Sequence, residues 1–80
     1  MHFICTIQAQ SPIVVEEQDR FRIKELVREN VLDYTFMAKN MKSIYLVLQC
    51  DDEFSAREII NTLDCLTNHV VSIEELIWNE

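Results

Sequence analysis

The 80-residue chain is 49% apolar and 26% charged, a globular composition that excludes intrinsic disorder. Fourteen acids against seven bases leave a net charge of −7, which repels phosphate backbones and argues against direct binding of DNA or RNA. Glycine is absent, so a P-loop, a dinucleotide fingerprint and a nucleophile elbow are all disfavoured, because each needs positive φ or close backbone approach to a ligand.

Residues 2–9 place Phe3, Cys5, Ile7 and Ala9 on one face and His2, Ile4, Thr6 and Gln8 on the other, the period of a strand. Gln10, Ser11 and Pro12 end it, since Pro lacks the donor that a ladder requires. Ile13–Val15 reads either as an edge strand or as the lead-in to a helix. That helix runs over residues 16–30, with acids early and Lys24 and Arg28 late, matching the macrodipole. Ile23, Leu26, Val27 and Asn30 share its apolar face, whereas Phe21 lies almost opposite, either packed under a neighbouring loop, exposed as an anchor, or a sign that the helix starts later.

Val31–Met37 and Ser43–Cys50 read as a hairpin in which Asn40 takes the left-handed conformation of the turn. The second of these strands is apolar on both faces, which predicts a central position. Asp51 or Asp52 then caps a helix whose apolar positions Ala56, Ile59, Ile60, Leu63 and Leu66 recur at i, i+3, i+4 and i+7. Asn68 is its expected terminator, and residues 70–78 return as a strand. The order β-α-β-β-α-β predicts one α+β domain over residues 1–80. The expected layout is a ferredoxin-like two-layer sandwich, a four-stranded antiparallel sheet with two helices on one face.

No motif announces chemistry, and the chain is expected to be non-enzymatic with no cofactor. Cys5, Cys50 and Cys65 cannot all pair, have no zinc spacing and have no basic sequence neighbours, so inert reduced thiols are expected. Asp51, Asp52 and Glu53 are the densest carboxylate run, but capping and the dipole of a helix N-terminus account for them without a metal. His2 and His69 fall on or beside neighbouring strands and can approach each other there, yet neither has an oriented acid or nucleophile in sequence. No apolar run reaches the roughly 18 residues of a membrane span, and MHFICTIQAQ lacks a basic n-region and a cleavage site. The expected location is cytoplasmic, with no membrane partner.

The charge is uneven. Residues 1–50 hold six acids and six bases, while residues 51–80 hold eight acids and Arg57 as the single base. Asp51, Asp52, Glu53, Glu58, Asp64, Glu74 and Glu75 can present negative charge to a basic protein surface, with Phe21, Tyr45 and Trp78 as apolar anchors. The alternative is a solvated face that keeps a small protein soluble. On the helix-free face of the sheet, Ile4, Thr6, Tyr45 and Val47 form an apolar patch with too few aromatics for RNA stacking, which points instead to a homodimer or to cover by a partner. So short a chain buries only about 60 to 65% of its unfolded surface, and a second copy or a partner would add stability.

In size, acidity and expected layout the chain resembles the small phage-encoded proteins that inhibit host defence, the anti-CRISPR proteins among them. The resemblance implies a host cytoplasmic location and a binder that blocks a basic site, such as one meant for nucleic acid; it carries no residue roles. Two other functions remain open on sequence, a small dimeric enzyme or ligand-sensing domain with a cavity between sheet and helices, and a structural assembly subunit.

Overall fold

A computed structural model describes residues 1–66 and 69–77. Its elements are β1 (His2–Gln8), α1 (Glu17–Arg28), β2 (Leu32–Met37), β3 (Ser43–Gln49), α2 (Glu53–Asn61), a single 3-10 turn (Asp64–Leu66) and β4 (Val70–Leu76). The four strands make one antiparallel sheet in the order β2-β3-β1-β4. β1 and β3 therefore occupy the middle, with a ladder partner on each side and one face under the helices.

Period-two alternation sends Phe3, Cys5 and Ile7 of β1 and Ile44, Leu46 and Leu48 of β3 to one side, and all six are buried. Leu26 of α1, Ala56 and Ile60 of α2, and Leu63 and Leu66 beyond it join them in one apolar cluster. Both helices thus cover the same face, α1 against β2 and α2 against β4. Ile13 is also buried, and its N–H donates to the Met41 carbonyl at 2.7 Å, but residues 13–15 are neither strand nor helix.

The ends of α1 follow local chemistry. Asn30 takes a positive φ of 61°, while its N–H donates to the Val27 carbonyl at 3.1 Å and the Val31 N–H donates to Leu26 at 2.9 Å. This is a Schellman closure with Asn in the place usually held by glycine. Asn30 is thus a terminator and not part of the apolar face. Val27 also departs from the expected face, being exposed, because α1 is rotated to bury Asp19, Ile23 and Leu26. Phe21 is 63% exposed, so no loop covers it.

In the β2–β3 turn the left-handed residue is Met41 (φ 65°), not Asn40. Asn40 instead uses its side-chain oxygen to accept the Lys42 N–H at 2.9 Å, an Asx interaction that moves the positive φ one residue on.

Asp52 caps α2 by accepting the Ser55 N–H at 2.8 Å, and these contacts from Ser55 hold its carboxyl below the usual range. The helix ends at Asn61, earlier than its apolar periodicity implies. Thr62 turns its hydroxyl back onto the Ile59 carbonyl at 2.6 Å, and Asp19 of α1 accepts the N–H groups of Asp64 (3.0 Å) and Cys65 (3.2 Å). Leu63 and Leu66 keep their buried positions, Leu63 just before and Leu66 on a 3-10 turn held by a carboxylate 45 residues away in sequence. Asn68 lies outside the described residues.

Candidate functional site

Among the described residues, none forms a layer over the face of the sheet away from the helices. Ile4 and Thr6 of β1 and Tyr45 and Val47 of β3 sit on it half-buried, as alternation requires. The composition of this face is set by β2. Leu32 pairs with Leu48 and Tyr34 with Val47, so Asp33 is an extra residue, a bulge, and the alternation slips by one. Leu32 stays in the core while Tyr34 and Phe36 turn to the open side, beside Val47 and Tyr45. Without the bulge, Leu32, Tyr34 and Phe36 would share one face.

Tyr34 and Phe36 stack with ring centroids 6.3 Å apart and planes 10° from parallel, and both are more than 60% exposed. With Tyr45 between strands and Leu76 and Ile77 exposed at the end of β4, the open face carries more aromatic surface than its central strands alone supply. The signal was present in the tyrosine and phenylalanine of residues 32–37, but it becomes readable only once the bulge is placed.

The bulge also brings Asp33 over β3 to His2, with Nε2 to Oδ2 at 3.2 Å. An open hollow beside this pair is lined by His2, Asp33, Tyr34, Val47, Leu76 and Ile77. His2 and His69 do not meet. His2 pairs opposite Leu76 whereas Gln8 pairs opposite Val70, so the antiparallel register sends the two imidazoles to opposite ends of β1, about 20 Å apart at 3.3 Å per residue.

The acidic residues do not form one patch. Asp51, Asp52 and Glu53 lie together at the start of α2, and Arg57 is in ion-pair range of Glu53 at 3.9 Å. Glu74 is on the open face opposite Ile4, and Glu75 points to the other side opposite Phe3, both exposed. Glu58 is exposed on α2, and Asp64, on the 3-10 turn, accepts a hydrogen bond from Gln18 at 3.3 Å. Phe21 stands apart on α1 between Arg20 and Lys24 in a shallow hollow. Trp78 lies outside the described residues. The strongest grouping is therefore the one the bulge creates: the aromatic pair, Tyr45 and Val47, with Asp33 and Glu74 on the same face.

Each thiol is held in its neutral form. Burial pushes Cys5 up to about 11, with Cys50 adding to the rise and Arg57 opposing it. Cys65 is pushed up to about 12, by burial first and then by the hydrogen bond to and the charge of Asp19. Cys50 is raised, again chiefly by burial. A crevice between α1 and the β2–β3 part of the sheet, lined by Ile23, Thr35, Met37, Ile44, Cys65 and neighbours, holds about 70 Å³ and is almost wholly apolar. Ligand pockets run to about 300–1,000 Å³ with convergent polar groups. Among the described residues, no cluster of three His, Cys, Asp or Glu side chains has the placement of a metal site, and no helix is long and apolar enough to cross a membrane. No protein-family model matches the chain and no curated protein matches it either, so the open face is the feature from which its function is read.

Proposed function

We propose that this chain is a non-enzymatic protein-binding module that docks through the open face of its sheet. The observation that carries the reading is the stacked Tyr34–Phe36 pair, held more than 60% exposed beside Tyr45 and Val47 with acids at the rim. Aromatic anchors surrounded by polar groups are where binding energy concentrates, and a bulge that turns two rings into solvent brings no stability to the chain alone. Asp33 and Glu74 on that face, with Asp51, Asp52 and Glu53 at the same end of the sheet, favour a partner with a basic surface. A site that normally receives nucleic acid is one such surface. Blocking it is how a small phage-type inhibitor of host defence would act. The strand order β2-β3-β1-β4, antiparallel throughout with both helices on one side, supports reading the architecture as ferredoxin-like.

Affinity capture with the wild-type chain and the double variant Tyr34→Ala/Phe36→Ala, run side by side on lysate of the cells that make the protein, tests the reading. Recovery of a basic protein should fall at least tenfold with the variant and fall with added salt for the wild type. Equal recovery on the two baits would overturn it.

A further inference from the structure

The outer edge of β2 is the place in the molecule where backbone hydrogen-bonding capacity and apolar side chains are exposed together. The Ala38 N–H donates to the Ser43 carbonyl at 2.9 Å, which makes 38/43 a hydrogen-bonded pair. Alternation along the antiparallel ladder makes Phe36/Tyr45 and Tyr34/Val47 the next such pairs. The N–H and C=O of Thr35 and Met37 therefore point away from β3, off the edge of the sheet. Every residue of β2 after Leu32 is exposed, and the strand contains no Lys, Arg or Pro to blunt it.

We propose that this edge pairs antiparallel with the same edge of a second copy, joining two sheets into one of eight strands. Three features select a second copy. A two-fold axis through Thr35 places the outward-facing groups of Thr35 opposite themselves and sets Tyr34 of each copy against Phe36 of the other, in the close, non-hydrogen-bonded positions where aromatic side chains interact best. The two ends of β2 carry opposite charge, Asp33 at its start and Lys39 and Lys42 in the turn after it, and antiparallel pairing brings unlike ends together twice. Glu58 lies on α2, which packs against β4, and Glu74 and Glu75 lie on β4 itself at the far edge, so pairing through β2 keeps these charges of the two copies apart. The dimer presents two open aromatic faces side by side, which goes beyond the binding role proposed above and does not depend on it.

Sedimentation velocity across a concentration series reads the association without any partner, and hydrogen exchange locates it. The mass should rise from 9.5 kDa toward twice that value, with the Thr35 and Met37 amides becoming protected over the same range. Thr35→Pro removes an outward N–H and no ladder bond within the chain, so it should lower the association constant at least tenfold with circular dichroism unchanged. Thr35→Lys, which sets two ammonium groups face to face, should do the same and serves if the proline variant fails to fold. A wild-type chain that stays monomeric at its highest soluble concentration overturns the proposal. So does a dimer whose Thr35 and Met37 amides exchange freely, as one formed by stacking the open faces would.

Discussion

The two edges of the sheet are built from opposite materials. β4 carries Glu74 and Glu75 near its end, one on each face, so a strand approaching that part of the edge meets charge on both sides. β2 offers Tyr34, Phe36 and Met37 with outward-facing backbone groups and a single acid, displaced into the bulge. Charge on an edge is a common protection against unwanted pairing, and its presence on one edge and near absence on the other is a difference of surface. It teaches that the chain is closed to strand addition on one side and available on the other, while both sides share one core.

A shared core requires both halves of the helix layer to be anchored. The anchor is Asp19, whose carboxylate holds the turn leading into β4 from the helix that covers β2. Asp19→Ala leaves two N–H groups without their acceptor and should cost about 2 kcal/mol in urea unfolding, with Asp19→Asn losing less. If Asp19→Ala changes stability by no more than a typical surface substitution, the halves are not joined there and the comparison loses its base.

The β4 acids offer the reverse manipulation. Glu74→Val/Glu75→Val should leave thermal stability within about 1 kcal/mol of wild type yet produce concentration-dependent light scattering, since it turns the guarded edge into an apolar one. A variant as dispersed as the wild type would mean that something other than charge closes that edge.

The thiols sharpen the comparison at a finer scale. Cys5 sits in a central strand and Cys65 on the turn before β4, and both thiols are raised, to about 11 and about 12, from the ordinary 9. An acid whose pKa is higher folded than unfolded contributes stability that is complete below pH 9 and is lost as pH climbs through the folded values. Unfolding midpoints should therefore drop between pH 9 and about 11 to 12, and Cys5→Ala/Cys65→Ala should flatten that drop. In native alkylation at pH 8, Cys65 should resist nearly as well as Cys5. Rapid labelling of Cys65 alone would indicate that the β4 half opens separately.

Much of the fold could be read without coordinates. The period-two patterns of residues 2–9 and 43–50 identify the two central strands, because alternation puts Phe3, Cys5, Ile7, Ile44, Leu46 and Leu48 on the one face that the helices bury. The i, i+3, i+4 pattern from Ala56 identifies α2, and residue type narrows its cap to Asp51 or Asp52, between which the hydrogen bond from Ser55 selects Asp52. What escaped were features made between distant segments. Val27 is exposed while Asp19 is buried on α1, and a buried carboxylate is invisible to a hydrophobic pattern, whereas the exposure of Phe21 was one of the readings its place opposite the apolar face allowed. The aromatic surface escaped because one extra residue, Asp33, inverts the faces of everything after it in β2.

The sequence by itself determined which segments are strands and helices, and that the core lies between the central strands and both helices. It did so because hydrophobic periodicity is a local property that burial must satisfy wherever the segment ends up. Only the tertiary structure decided which rings face solvent and which edge is open. A bulge, a buried acceptor and a two-sided edge are defined by pairing partners, and the chain acquires those only when it folds.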